Sequence, residues 1–333
     1  MSAAPHSATA PASVAVIGAG LIGQAWALVF ARGGCRVSLW DGDQAALTRA
    51  QGLIATLAAD LQTSGLVADA AALCARIHAE PDLAQALQGV AYVQENLPEQ
   101  LPLKQAIFAQ LDGLAPADAV LASSTSSLPA SAFAGHLAGR ARCLVAHPVN
   151  PPYLVPVVEI CGAPFTDPQA VARCHALMQA VGQSPVRLKR EIDGFVLNRL
   201  QGALLREAFR LVEQGVVDVD GLDVTIRDGL GLRWSFMGPF ETIDLNAPGG
   251  LADYCTRYGG VYRDIATEQV DTSPWSEALV QSLDAERRRL LPAEELAERR
   301  QWRDRRLMAL AAHKQQHPQT HTPHTPEPQG DSA

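Results

Sequence analysis

The stretch Val14-Ala-Val-Ile-Gly18-Ala-Gly20-Leu21-Ile22-Gly23, followed by a lone acid at Asp41, decides how this chain folds. A short β-branched run that feeds Gly-x-Gly-x-x-Gly and then a helical pattern is the dinucleotide-binding fingerprint. Each glycine has its own task. Gly18 allows the tight strand-to-helix turn, Gly20 lets the backbone approach a pyrophosphate, and Gly23 lets the helix pack closely on the sheet. The pyrophosphate then rests on the free N–H groups of the helix start, at Leu21 and Ile22, where the helix dipole favours negative charge. The second strand, Arg36-Val-Ser-Leu-Trp40, ends at Asp41, 23 residues after Gly18. A carboxylate there accepts both ribose hydroxyls of NAD and repels the 2′-phosphate of NADP, so the expected cofactor is NAD.

Outward from this unit, strands and helices alternate, which implies a parallel sheet covered on both faces. The pattern predicts helices near 21–32, 44–62, 103–111 and 168–181, with further strands at 91–94, 119–122, 143–146, 157–160 and 186–188. The period changes at Glu191-Ile-Asp193-Gly194. Beyond it, Phe195 to Gln214 carries apolar residues at helical spacing, and strand-like alternation does not return. The expected architecture is α/β: a doubly wound, Rossmann-type parallel sheet over 13–190, then an all-helical domain over 191–312. Residues 1–12 and the His-Thr-Pro-rich tail over 313–333 read as disordered.

Composition excludes several classes. With 47% hydrophobic and 19% charged residues, the 333-residue chain buries a sizeable core and divides into two domains. A net charge of −8 argues against nucleic acid or an anionic membrane surface as partner. No stretch approaches the ~20 apolar residues needed to span a bilayer, and Met1–Pro11 has no signal-peptide pattern. Six scattered cysteines with no Cys-x-x-Cys fit a reducing cytoplasm. No metal is expected, since the tail histidines are more simply a solvated segment.

The second dense feature is Ser123-Ser-Thr-Ser126-Ser127, then His147-Pro-Val-Asn-Pro-Pro152 and Glu159. Oxidising a hydroxy acid needs a base for the alcohol proton, and histidine suits it because its ordinary pKa lies near neutrality. A carboxylate on the far ring nitrogen fixes the tautomer and stabilises the imidazolium. His147 ends one predicted strand and Glu159 sits in the next, so neighbouring strands bring them into reach. Hydroxyls of the serine loop are placed to hold the substrate oxygen.

These motifs resemble the 3-hydroxyacyl-CoA dehydrogenase superfamily, and within it the lambda-crystallin branch, the L-gulonate 3-dehydrogenases. The residues that carry the resemblance are Ser124-Thr-Ser126-Ser127, His147-Pro-Val-Asn-Pro-Pro-Tyr153, Gly194-Phe-Val-Leu-Asn198-Arg199-Leu-Gln201, Gly229-Leu-Gly-Leu-Arg233-Trp-Ser-Phe-Met-Gly238-Pro239 and Arg300-Gln-Trp-Arg303-Asp. The resemblance implies His147 as base, Glu159 as its partner, and Ser126 and Asn198 around the reacting oxygen. It implies NAD contacts at Glu99 and Lys104, the latter one of only three lysines. It also implies a homodimer.

Substrate size is read from charge. A CoA thioester brings three phosphates, yet residues 42–88 hold only Arg49 and Arg76 against Asp43, Asp60, Asp69, Glu80 and Asp82. That balance favours a small free hydroxy acid, with Arg233 as the expected anchor for its carboxylate and Arg199 as the less favoured one. L-Gulonate leads. Carnitine stays in contention because carnitine dehydrogenases share much of this branch's pattern, and an aromatic such as Trp234 beside Arg233 suits a cationic substrate. A fatty-acid thioester, or a non-enzymatic role like that of a lens crystallin, are the remaining alternatives.

Overall fold

The computed structural model describes residues 12–270 and 272–317, so the expectations for 1–11 and 318–333 lie outside the described residues. The chain divides into two compact units: the first runs to Leu200 and takes in Trp302–His313, and the second is built from Gln201–Gln301.

The first unit is an eight-stranded sheet in the order β3-β2-β1-β4-β5-β6-β7-β8. Its strands are β1 (Ser13–Ile17), β2 (Arg36–Trp40), β3 (Ile77–Ala79), β4 (Tyr92–Glu95), β5 (Val120–Ser123), β6 (Cys143–Pro148), β7 (Val157–Gly162) and β8 (Ser184–Arg187). The helices of this unit are α1 (Leu21–Arg32), α2 (Gln44–Thr63), α3 (Ala70–Cys74), α4 (Leu83–Ala86), α5 (Leu101–Leu114), α6 (Ala130–Ala134), α7 (Pro168–Ala180) and the start of α8 (Leu197–Glu213). Every neighbouring pair is parallel except β6 and β7, which run antiparallel. The chain winds outward from β1 to β3 in one direction and from β4 onward in the other. The resulting crevice lies at the carboxyl ends of β1 and β4, where doubly wound sheets take their ligands.

Burial on both faces explains the near-continuous apolar strands. In β1, Val14 and Val16 join the core with Trp26, Phe30 and Met178, while Ala15 and Ile17 join the opposite core with Phe108, Phe133 and Phe195. This is the two-residue period of a strand dividing its side chains between two layers. Sequence pattern did not predict β3, whose three residues are too few to show a period.

Helix α1 sits hard against the glycine turn. A Cβ on Gly23 would stand 1.8 Å from the Gly18 carbonyl oxygen, whereas a Cβ on Gly20 meets nothing within 4 Å. Gly18 itself has φ +97°, a left-handed value that favours glycine.

The second unit is helical: the rest of α8, α9 (Val219–Val224), a run of wide π-type turns over Thr225–Leu230, α10 (Gly231–Trp234), α11 (Pro239–Asp244), α12 (Gly250–Ala266), α13 (Glu277–Leu290) and the first turn of α14 (Leu296–Gln316). Within it, Phe209 stacks on Trp275 at 4.2 Å, and Val219 N–H donates to Glu286 at 2.9 Å. The latter part of α14 belongs to the first unit, where Met308 is buried in the core that holds Trp26.

The two glycines separate fold from function. Gly23→Ala should overpack the turn at a cost of roughly 1–3 kcal/mol, lowering the melting temperature by several degrees. Gly20→Ala should melt within a degree or two of wild type. Equal melts for both would contradict the seating of α1 on Gly18.

Candidate active site

Antiparallel pairing of β6 with β7 sets His147 directly opposite Glu159 in the ladder. His147 Nδ1 lies 2.9 Å from Glu159 Oε2, with both side chains almost wholly buried. The other oxygen, Glu159 Oε1, accepts from Val196 N–H at 2.8 Å and Leu197 N–H at 3.0 Å. These are the free donors of the α8 N-terminus, so the helix dipole acts on the same carboxylate. The turn that aims them is left-handed at two consecutive residues, Gly194 (φ 73°) and Phe195 (φ 51°). A bulky residue tolerates that conformation only where packing holds it. Phe195 is buried, with its ring 5.5 Å from the imidazole of His147. Burial pushes the Glu159 carboxyl up, but the His147 hydrogen bond and the two N–H groups outweigh it and hold the group below the usual carboxylate range.

The serine loop after β5 is gathered by Glu99. Its Oε1 accepts from Thr125 Oγ1 at 2.7 Å, Ser127 N–H at 2.6 Å and Ser127 Oγ at 2.7 Å, and Ser126 N–H donates to it at 3.1 Å. Burial raises this carboxyl, yet those donors prevail and bring its pKa down to about 2. On the other side of the loop, Asn198 Nδ2 donates to the Ser126 carbonyl at 2.8 Å. Ser126, Asn198, His147 and Glu159 are thus linked through one short run of contacts. The Ser126 hydroxyl takes no partner among the described residues.

Lys104 is fully buried on Glu95. Its Nζ donates to both Glu95 oxygens at 3.0 and 2.9 Å and to the Leu97 carbonyl at 3.3 Å. Ser123 Oγ (2.6 Å) and Leu97 N–H (2.6 Å) complete the carboxylate's shell. A buried pair of this kind is tolerated because every acceptor site is met. Its effect is to pin the segment Asn96–Gln100, which carries Glu99.

Beside it lies a second polar network that sequence reasoning missed. Trp26 Nε1 donates to Ser124 Oγ at 3.0 Å, Gln94 Nε2 to the same oxygen at 2.7 Å, and Ser124 Oγ to Asn96 Oδ1 at 2.7 Å. Tyr92 OH donates to Gln94 Oε1 at 2.6 Å. These bonds tie α1, β4 and the loop after β5 together at the mouth of the crevice. The sequence carries a signal for it: Gln94-Glu95-Asn96 places three polar residues at the end of an otherwise apolar strand.

The glycine turn fits a dinucleotide. Gly20 caps α1 without any side-chain hydrogen bond, so the helix N–H groups at Leu21 and Ile22 are not met by a capping side chain. Asp41 lies at the carboxyl end of β2, its Oδ2 accepting from Ala19 N–H at 2.8 Å and its Oδ1 from Asp43 N–H at 2.9 Å. A carboxylate offers about four lone-pair sites, so both oxygens retain capacity for hydroxyl donors. Arg233 is exposed in α10 of the second unit. The described residues contain no group of three or more His, Cys, Asp or Glu arranged to hold a metal.

A glycine-turn crevice beside a buried His–carboxylate pair defines a nicotinamide-dependent dehydrogenase. The family model for the 3-hydroxyacyl-CoA dehydrogenase NAD binding domain matches residues 13–192, and that for its C-terminal domain matches 194–289. The chain belongs to this family and is an NAD-dependent oxidoreductase. It is 45% identical to lambda-crystallin of Oryctolagus cuniculus, covering 92% of this chain and 98% of the relative. It is 47% identical to the lambda-crystallin homolog of Bos taurus, covering 95% and 100%. It is 38% identical to L-carnitine dehydrogenase of Streptomyces griseus, covering 85% and 81%. Among solved structures it matches FHMPC 5-dehydrogenase, an NAD+ dependent dismutase, with a TM-score of 0.69 and 30% identity over 86% of this chain and 98% of that one. No helix among the described residues is long and apolar enough to cross a membrane.

The depressed Glu99 carboxyl gives a test of the loop clasp. Its folded pKa lies below the ordinary 4.5, so the ion adds stability above that value and loses it as pH falls toward about 2. The urea midpoint of Glu99→Gln should trail wild type by a constant margin above pH 5. The margin should shrink steadily below pH 4.5. A margin independent of pH would mean that the Glu99 charge does not hold the loop.

Proposed function

We propose that this chain oxidises the 3-hydroxyl of a small free hydroxy acid, and that the acid is L-gulonate, giving 3-dehydro-L-gulonate. The observation that carries the chemistry is the buried His147–Glu159 pair at 2.9 Å. Bound NAD supplies the hydride acceptor. Nδ1 of His147 is committed to Glu159, so the proton from the substrate hydroxyl goes to Nε2. Glu159, held ionised by the α8 N–H groups, faces the imidazolium that results. The Ser126 hydroxyl and the second Nδ2 hydrogen of Asn198 steady the developing carbonyl oxygen. Gly18, Gly20, Leu21, Ile22, Gly23 and Asp41 hold the dinucleotide. Glu99 and Lys104 serve it through the loops they fix.

Charge supports the free acid over a thioester. Arg49, the only cation on α2, is paired with Asp43 at 3.3 Å, and Asp43, Asp69 and Asp82 are exposed along residues 42–88. That surface repels phosphates. Arg233 is proposed as the carboxylate anchor, since its guanidinium makes no hydrogen bond or ion pair with an acid among the described residues and has the Tyr254 phenol as its electrostatic neighbour. Trp234 in the same turn, 40% exposed, favours carnitine as the second reading.

A homodimer belongs to the same proposal. The second unit of about a hundred residues buries few of its side chains. Phe240 (75% exposed), Val270 (73%), Leu245 (68%), Val216 (66%) and Leu232 (63%) are all open to solvent. A unit with so much apolar surface gains its missing core from a second copy.

NADH formation should be measured with L-gulonate, L-3-hydroxybutyrate, L-carnitine and L-3-hydroxybutyryl-CoA. L-Gulonate should lead on kcat/KM, Glu159→Gln should lower kcat by roughly 10²–10⁴-fold, and Arg233→Gln should raise KM at nearly constant kcat. A leading thioester would overturn the free-acid reading. Sedimentation velocity should give a dimer at micromolar concentration, and a monomer there would remove the second part of the proposal.

A further inference from the structure

At the amino-terminal edge of the sheet, far from the crevice, three adjacent strands line up a row of polar side chains. Ser13 opens β1 and pairs in register with Arg36, which opens β2. Val37 pairs with Ile77, so Arg36 stands beside Arg76, the residue just before β3. His78 follows Arg76 by two positions and shares its side of the strand. These four residues, with Gly34 and Ala75, line a cavity of about 340 Å³.

The cations are unbalanced. Most arginines with a described ion pair face an acid one to four residues away or across a helix contact. Arg36, Arg76 and His78 have no side-chain partner among the described residues. Nor do they serve the nearby end of α1, whose last carbonyls already accept from Gly33, Gly34 and Cys35 N–H groups. Like charges side by side on neighbouring strands are unfavourable. Here they occur in a chain with a net charge of −8, which has carboxylates to spare elsewhere. A Cβ on Gly34 would meet nothing within 4 Å, so there is open space beside this lining residue.

We propose that this edge is an anion site that takes a phosphate dianion, free or as a monoester, between the Arg36 and Arg76 guanidiniums, with Ser13 and His78 completing the shell. Two planar guanidiniums match the oxygens of one phosphate group. The site is separate from the dinucleotide crevice, since the five residues of β1 hold Ser13 and Gly18 about 16 Å apart. It does not depend on which hydroxy acid the enzyme oxidises.

The test is calorimetric titration of the full, NAD-saturated chain with orthophosphate and, in a second arm, with glycerol 2-phosphate. Saturable binding at one site per chain is expected, weakened at least tenfold in R36Q/R76Q. NADH formation in phosphate-free buffer should stay within twofold of wild type. Tighter binding of the monoester identifies a phosphorylated metabolite as the ligand, and equal or tighter binding of orthophosphate identifies the free ion. Absence of saturable binding, or equal affinity in the double variant, overturns the proposal. Melting curves guard against a folding defect. R36Q alone should melt no lower than wild type without phosphate and lose the phosphate-induced rise, whereas a fall of several degrees would give Arg36 a structural partner and sink the site.

Discussion

The carboxylate of Glu159 is the constraint on which the site depends. It is buried at a strand–strand contact and receives the His147 ring on one oxygen and two backbone donors of α8 on the other. An ion in that position is tolerable only because both of its oxygens are met by donors. The requirement works in both directions. The helix start must sit where its N–H groups reach the carboxylate, which places Asn198 at the next position, in the first turn. The loop that feeds the helix must pass through two left-handed residues, which puts Phe195 under the imidazole. A single charge therefore orients a base, a helix and a polar side chain.

A second carboxylate does comparable work nearer the surface, where it is only partly desolvated. Glu99 is exposed, yet it collects the donors of a loop whose own bonds are Thr125 N–H to Ser123 Oγ and Leu128 N–H to Thr125 Oγ1. Beneath it the Glu95–Lys104 pair fixes the segment from which Glu99 projects. Rigidity at the crevice thus comes from three acids at three depths, each satisfied by a different kind of donor: imidazole and helix N–H groups, an ammonium, and loop hydroxyls with their N–H groups. Apolar packing sets the sheet, and hydrogen bonding sets its rim.

Much of this was legible in the sequence because it is local or periodic. The glycine spacing specifies the turn, the apolar runs specify doubly buried strands, and the loss of alternation after Gly194 marks the start of helical chain. The pairing of His147 with Glu159 was legible only as adjacency of strands. Their register depends on the reversal of β7, which the intervening loop decides and no periodicity records. Lys104 reads from sequence as a helix-surface residue or a ligand contact, because burial of its amine depends on Glu95 lying nine positions upstream on a neighbouring strand. The Trp26–Ser124–Gln94 network was illegible for the same reason: its members lie up to 98 positions apart. Charge balance across strands, as at Arg36 and Arg76, likewise appears only once the register is known.

The return of α14 to the first unit bears on how the protein is made. Met308 is packed among the core residues of the sheet, and Asp304 accepts the hydroxyl of Tyr153 at 3.2 Å, close after the His147 strand. Synthesis delivers Asp304 and Met308 only after every strand of the sheet. The ribosome releases the fingerprint strand and the whole sheet while the segment that closes one of its cores is still unmade. The first unit therefore waits, incomplete on one face, until the intervening hundred residues have emerged. A nascent chain stalled before Trp302 would carry every residue of the proposed catalytic centre and still lack the helix that seals the core behind it.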